Sequence, residues 1–83
     1  MEHTDLTYAF RKGCELNFYE VDKEGEETFL KGYHSYHFDK IFIPRRKDKI
    51  IIFDFPYRVK DVVYCYNDTE DYFLIEVFVE GEF

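Results

Sequence analysis

The stretch VVYCYNDTEDYFLIEVFV, residues 62–79, decides the fold class. From Tyr72 to Val79 the odd positions are all apolar, while Glu76, and Glu80 just beyond this run, fall on even positions. Such a period of two is typical of a strand with one buried face. The polar residues 67–71 separate this strand from the apolar run 62–66 and have the length of a hairpin turn. The stretch therefore predicts a β-hairpin.

The register of this hairpin is predicted by placing Tyr66 opposite Tyr72. Both tyrosines then point outward and Cys65 points into the core, because successive side chains alternate between the two faces. Aromatic anchors ringed by charge are typical of interface hot spots. The predicted partner-binding surface is the outward face with its adjoining turn: Tyr64, Tyr66, Glu70, Asp71, Tyr72, Leu74, Glu76, Phe78 and Glu80.

Two further hairpins are predicted upstream of this one. Residues 16–21 and 28–33 flank a charged loop that contains a glycine. Residues 38–43 and 50–55 flank a turn rich in basic residues. Together with the C-terminal hairpin they give six strands.

Three finer features are predicted by local signals. The apolar run 50–53 is typical of a central strand buried on both faces. Pro56 is expected to end that strand, because proline cannot donate to the ladder. At the N terminus, Thr4 can cap a short helix that has apolar residues at helical spacing, Arg11 and Lys12 in its last turn and Gly13 just beyond its end. The same segment also alternates as a strand would, so a strand is the alternative there.

The composition favours sheet over helix. Eight Tyr and ten Phe make 22% of the chain, and such residues fit a pleated, half-buried surface. Eighteen aromatic side chains exceed what a small core encloses, so some are expected at the surface. We therefore predict one mainly β domain, residues 1–83, with a small antiparallel sheet or barrel of five to six strands in hairpins and one short N-terminal helix.

The cysteines and the start of the chain bear on the compartment. Cys14 and Cys65 are the only cysteines, and we expect them to be reduced and buried rather than bridged. Met1 is followed by charged and polar residues, and no run approaches the ~18 apolar residues of a membrane span. A cytoplasmic protein without a membrane partner is the expectation.

Residues that could carry catalysis or bind a metal are few. His34 and His37 are the one close pair of histidines, and their spacing puts them on opposite faces of a strand. Ser35 is the only serine and lies in no glycine-flanked elbow. The four glycines never come together as a phosphate-binding loop. We predict no enzyme, no metal site and no cofactor.

Charge is distributed unevenly along the chain. The net charge is −7, yet the middle third is basic between two acidic flanks. A basic groove with aromatic residues can bind single-stranded nucleic acid, although a pI near 4.8 disfavours a phosphate backbone. The residues of this alternative site are Tyr36, Arg45, Arg46, Lys47, Lys49 and Arg58.

The function predicted from these patterns is that of a small acidic protein-binding module without enzymatic activity. Its partner is expected to have a basic surface, since aromatic anchors surrounded by acids complement one. In general character the chain is similar to the small acidic inhibitors that phages make against host nucleases and defence complexes, of the anti-restriction or anti-CRISPR type. This similarity implies that the protein mimics DNA and so captures a nucleic-acid-binding protein. A structural subunit that self-associates, for example as a homodimer, is the remaining alternative.

Overall fold

The computed structural model describes residues 9–37 and 41–83 and shows a single five-stranded sheet. The strands are β1 (Ala9–Val21), β2 (Glu27–His37), β3 (Lys49–Ile52), β4 (Phe55–Asn67) and β5 (Tyr72–Gly81). The mainly β class and a count of five strands are thereby confirmed. Within the described ranges the chain forms no helix, and so none with the length and hydropathy that crossing a bilayer requires.

The strand order is β2-β1-β5-β4-β3, with β5 at the centre. Three hairpins, β1–β2, β3–β4 and β4–β5, pair antiparallel, whereas β1 lies parallel to β5. The sheet is therefore mixed rather than purely antiparallel. The parallel pair arises because the N-terminal hairpin adds to the free edge of the C-terminal one, which leaves β2 and β3 as the edge strands.

One face of the sheet, here called the inner face, carries the core. On β5 the inner-face side chains are Ile75, Val77 and Val79, and all three are fully buried. The alternate residues of β5 from Tyr72 to Phe78 lie on the opposite, outer face and are half-buried. The core comprises Phe10, Cys14, Leu16, Phe18, Ile52, Tyr57, Val59, Ile75, Val77 and Val79.

The sheet is rolled so that its two edges approach each other on the inner side. Lys31 Nζ of β2 lies 5.3 Å from the ring centroid of Phe53, which follows β3. Between these edges the segment 41–44 packs on the core: Pro44 is fully buried and Ile43 is partly buried. The segment thus provides apolar cover that the five strands lack.

The predicted N-terminal helix is wrong wherever the structure describes it. Ala9 begins β1, and Gly13 lies inside the strand with a φ of 98°. The backbone N–H of Lys12 donates to the carbonyl of Asp71 at 3.1 Å, a partner distant in sequence. Long-range pairing therefore overrides the local helical spacing. Thr4 lies outside the described residues.

The predicted hairpin of residues 38–43 and 50–55 is also wrong. Residues 41–43 are not in a strand, and 38–40 lie outside the described residues. Instead β3 pairs with β4 through the two-residue turn Phe53–Asp54, in which both φ values are positive, as in a type I′ hairpin turn. The run 50–53 is no doubly buried strand, because β3 is an edge and Ile51 is 63% exposed.

Pro56 does not end a strand but is the second residue of β4, opposite Ile51. Its carbonyl accepts from the N–H of Glu82 at 3.0 Å, just beyond the end of β5. The ladder between β4 and β5 terminates there. A residue without a donor is tolerated at such a position, which explains why the proline does not interrupt β4.

The C-terminal hairpin is confirmed, but its predicted register is wrong by one residue. Asn67 pairs with Tyr72, so Tyr66 lies opposite Phe73 rather than opposite Tyr72. The turn is one residue shorter than predicted, because the N–H of Glu70 donates to Asn67 Oδ1 at 3.0 Å and Asp71 adopts a positive φ. A slip of one residue exchanges the two faces. Tyr64 and Tyr66 therefore lie on the inner face, and Cys65 lies on the outer face and is exposed.

Candidate protein-binding surface

The structure divides the predicted partner-binding residues between two faces of the sheet. Tyr64 and Tyr66 lie on the inner face, and they are 55% and 51% exposed. The turn holds Glu70 and Asp71. The outer face of β5 carries the remaining members, which are Tyr72, Leu74, Glu76, Phe78 and Glu80. Tyr64 and Tyr66 are thus exposed as expected, yet they do not share one surface with Tyr72 and the acidic side chains of β5.

The inner-face tyrosines belong to an aromatic cluster at one end of the sheet. The Tyr66 ring packs edge-on against Phe10 at 6.1 Å and Phe73 at 6.0 Å. Its hydroxyl donates to Asp71 Oδ1 at 2.9 Å, which ties β4 to the turn. These contacts indicate that Tyr66 stabilises the end of the hairpin.

A second aromatic group crosses the outer face, and we call it the aromatic ladder: Phe29, Tyr19 and Phe78. Phe29 and Phe78 both lie opposite Tyr19, on β2 and β5 respectively. The ring centroids are 5.7 Å apart for Phe29 and Tyr19 and 5.6 Å for Tyr19 and Phe78. Cross-strand aromatic pairs of this kind each contribute about 0.5–1.5 kcal/mol beyond burial. Phe29 remains 56% exposed, so the ladder presents an open ring to solvent.

The aromatic ladder escaped sequence analysis for a specific reason. Its three rings come from three strands, and two of them meet only through the parallel pairing of β1 with β5. No local turn encodes that pairing. Phe78 alone was among the predicted site residues, on the strength of its parity with Glu76.

Carboxylates flank the aromatic ladder on the outer face. Glu15 lies on β1, the strand that carries Tyr19, and is opposite Leu74, whereas Glu76 lies on the neighbouring β5, opposite Asn17. The hydroxyl of Tyr72 donates to Glu15 Oε1, and Asn17 Nδ2 donates to Glu15 Oε2 at 3.3 Å. Glu15 is therefore held in place by two donors.

The pKa values of two tyrosines on the outer face are raised by burial and by this negative charge. Burial, the hydrogen bond to Glu15 and the charge of Glu15 raise the pKa of Tyr72 to about 12. Burial also raises the pKa of Tyr19, and the nearby charges of Glu76 and Glu15 raise it further. Burial is the largest cause of both raised pKa values, and the carboxylate charges add to it.

Asn17 shapes the floor beneath the ladder. Its side chain is 7% exposed, and its Oδ1 has no hydrogen-bond partner among the described residues. A Cβ at position 32 would stand 2.5 Å from that oxygen and 3.2 Å from the Phe29 ring. Gly32 thus leaves room for the amide and the ring beside the β2 backbone, and any side chain at this position would displace one of them.

The basic residues of the alternative nucleic-acid site lie near one another, whereas Tyr36 lies far from them. Arg58 Nη1 donates to the Lys47 carbonyl at 3.1 Å, and Lys49 lies opposite Arg58 on the neighbouring strand. Tyr36 lies near the Phe73 end of β5, whereas Arg58 lies opposite Glu80. At 3.3 Å per residue these positions are about 25 Å apart along the sheet. Arg58 Nε also pairs with Glu82 Oε2 at 2.9 Å. Arg45, Arg46 and Lys47 are exposed on the segment that leads into β3, and Lys49 is the exposed first residue of that strand.

An apolar cleft of about 530 Å³ opens on the inner face, between the two edges of the rolled sheet. We call it the inner cleft. Leu16 and Phe18 of β1 form its floor, and the more exposed walls come from both edges and the segment 41–44. The exposed wall residues are Tyr33, Phe42, Ile51 and Phe53. The sequence offered no signal for this cleft, since it depends on how far the sheet rolls.

Residues with reactive side chains are dispersed. Cys14 is buried on the inner face, and burial raises the pKa of its thiol to about 11. Cys65 is exposed on the outer face, which corrects the prediction that both thiols are buried. In residues 9–37 and 41–83 no three His, Cys, Asp or Glu side chains are grouped as a metal site would require.

The free energy of unfolding is expected to fall as the pH rises from about 9 to about 12. The folded-state pKa values of Cys14 and Tyr72, about 11 and about 12, lie above the ordinary 9.0 and 10.0. The unfolded chain therefore loses these protons first, and stability declines wherever the folded state binds more protons. Below pH 9 both groups are protonated in the folded and the unfolded chain, so their contribution to the free energy of unfolding is fully present.

Denaturant titrations across this pH range measure the decline. Tyr72→Phe should flatten it between about pH 10 and pH 12, because phenylalanine does not titrate. A profile as steep for the variant as for the natural chain would show that Tyr72 is not buried against Glu15.

No protein-family model, curated protein or solved structure matches this chain.

Proposed function

We propose that the protein is a non-enzymatic protein-binding module that binds a basic partner through its outer face. The observation that carries the proposal is the aromatic ladder among carboxylates. Rings that are already in contact lose little conformational freedom on binding, and aromatic residues dominate interface energetics. Acids around them complement Lys and Arg side chains of a partner and speed its association.

The charge pattern of the outer face supports a basic partner. Three rows of paired residues cross the outer face from β2 through β1 and β5 to β4. They run from His34 to Cys65, from Gly32 to Val63 and from Phe29 to Asp61. The paired residues of these three rows include three carboxylates and neither Lys nor Arg. A guanidinium group could stack on the ladder and pair with a carboxylate at once, as arginine commonly does at interfaces.

Self-association through this face is disfavoured by the same pattern. A two-fold interface places identical patches against each other. The acidic patch that contains Glu15 and Glu76 would then be desolvated against an identical acidic patch, on a chain whose net charge is already −7. A basic partner protein is therefore a better occupant than a second copy of the chain.

A narrower form of the proposal is that the partner binds nucleic acid and that this module inhibits it. Carboxylates on a rigid sheet can occupy a site built for phosphates. Duplex DNA carries about one charge per 1.7 Å of axis, however, which is far denser than the outer face. The aromatic ladder would then supply affinity that charge mimicry alone does not. Competition between the module and DNA for the purified partner tests this form.

The proposal is tested by exchanging single residues on the two faces. Phe29→Ala should weaken binding of the natural partner by about 1–3 kcal/mol, as truncation of an anchor does. Tyr64→Ala is the matched control, because Tyr64 is equally exposed but lies on the inner face. It should change the affinity by less than about 0.5 kcal/mol. The partner is first captured from source cells by cross-linking, and the Kd of each variant is then measured.

Charge reversal provides the second arm of this test. Glu76→Lys should mainly slow association and reduce its dependence on salt, while Glu24→Lys in the exposed β1–β2 loop serves as the control. An acidic partner, or a loss of affinity in Tyr64→Ala without one in Phe29→Ala, would refute the assignment of the outer face.

A further inference from the structure

We propose that the inner cleft binds a small amphiphilic carboxylate, an unbranched apolar tail with an anionic head of the fatty-acid class. The cleft lies on the face opposite the aromatic ladder, so this ligand site is separate from the partner surface. The inference stands on the lining of the cleft, on its single charge and on the conformation of one wall residue.

The lining of the inner cleft is suited to an apolar tail. Its volume of about 530 Å³ falls in the range of about 300–1,000 Å³ that ligand sites occupy. Buried side chains of Leu16 and Phe18 form the floor, and Ile51 and Phe53 stand at the walls with 63% and 61% of their surface exposed. Apolar surface of this extent, concave and open to solvent, gains free energy when a tail covers it.

The head group is indicated by Lys31. Among the described lining residues Lys31 alone is charged. Its Nζ lies 5.2 Å from the ring centroid of Tyr33 and 5.3 Å from that of Phe53, so the ammonium group is held between two cleft rings. Within the described part of the chain no carboxylate oxygen lies within 4.0 Å of it. A single cation at an apolar cleft complements a single anion on an apolar chain.

The net charge of −7 opposes this assignment only weakly. Charges beyond about 8 Å are screened at physiological ionic strength. The acidic side chains of the outer face lie across the sheet from the cleft. The local ammonium group therefore decides which head group is preferred.

Phe53 adds an independent observation. Its φ is 52°, in the left-handed region that bulky residues rarely adopt, and the ring is exposed rather than packed in the core. Asn is the residue that this position of a type I′ turn favours. The strained conformation places an aromatic ring at the cleft and beside Lys31, which is where a ligand would use it.

Binding is tested on the full chain by calorimetry with decanoate, dodecanoate and tetradecanoate below their micelle-forming concentrations. We expect one site per chain and an affinity that rises about three- to fourfold for each added methylene. Dodecylammonium should bind at least about tenfold more weakly than dodecanoate, since its head would approach Lys31 with like charge. The absence of saturable binding, or equal affinity for the ammonium compound, would overturn the proposal.

Two cleft variants separate the tail from the head. Lys31→Met should weaken dodecanoate binding about tenfold and leave dodecanol binding nearly unchanged, because a charge-assisted contact is lost while apolar cover is kept. Phe53→Asn should weaken both ligands about tenfold or more while raising the Tm by a few degrees, because Asn tolerates the turn conformation.

The control for these variants is Phe29→Ala, which removes an equally exposed ring from the outer face. It should leave dodecanoate affinity unchanged, so the cleft and the partner surface are tested independently. Unaltered affinity in Phe53→Asn would overturn the site. So would binding of an apolar peptide by a cleft that does not bind the carboxylates.

Discussion

Replacing Ile75 with alanine is expected to lower the free energy of unfolding by about 2–5 kcal/mol. Ile75 is fully buried at the centre of β5, with Leu16 opposite it on β1 and Tyr64 opposite it on β4. Its removal leaves a cavity that two flanking strands cannot close, since each is fixed by its own backbone pairing. A domain of this size has only about 5–15 kcal/mol of net stability, so the loss is a large share of it.

Leu74→Ala is the matched control for this prediction. Leu74 is adjacent in the chain but half-buried on the outer face, and its truncation should cost about 1 kcal/mol from lost apolar burial. Urea unfolding of both variants measures the difference through the midpoint and the slope. Equal costs at the two positions would show that the inner and outer faces are not distinguished as described.

The second large effect is a difference in thiol reactivity. Cys65 is expected to react with a thiol reagent on the order of 10³ times faster than Cys14 in the folded protein. Cys65 is exposed, whereas Cys14 is fully buried and burial raises the pKa of its thiol to about 11. The thiolate is the reactive species, so a raised pKa slows the reaction further. Cys14 becomes accessible when the sheet opens, at a cost of about 5 kcal/mol for a marginally stable domain.

This measurement also tests the register of the C-terminal hairpin. In the register predicted from the sequence Cys65 points inward, and both thiols would react slowly. Cys65→Ser should abolish the fast phase, and Cys14→Ser should preserve it. In denaturant the two rates should converge, because unfolding removes the difference in burial. Two slow thiols in the natural chain would contradict the observed pairing of Cys65 with Leu74.

The first and last hairpins could be predicted because local signals specify them. In the β1–β2 turn the N–H groups of Glu24 and Glu26 donate to Asp22 Oδ1 at 3.0 and 2.8 Å, and Gly25 adopts a φ of 85°. In the β4–β5 turn Asn67 plays a similar part. Such contacts lie within four residues, so residue type and spacing suffice to predict them.

The site was only partly predictable, and the reason is again the range of the contacts. Glu76 and Phe78 were identified with the correct face of β5, because parity along one strand is a local property. The prediction for Tyr64 and Tyr66 gives the wrong face, because the face on which residues before a turn lie depends on the exact number of residues in that turn. The partners Tyr19 and Phe29 were missed, since they reach Phe78 through strands distant in sequence.

The sequence alone thus determined the mainly β class, the two terminal hairpins and the alternation of β5, all of which follow from side-chain chemistry over a few residues. Only the tertiary structure decided that β1 lies parallel to β5, that Ala9–Gly13 is extended, and that the sheet rolls around segment 41–44. These features depend on contacts up to 60 residues apart, such as that of the Arg11 N–H with Asp71. These features are stabilised by burying apolar faces that each hairpin would expose if it were alone. No local sequence pattern specifies which of these faces pack against each other.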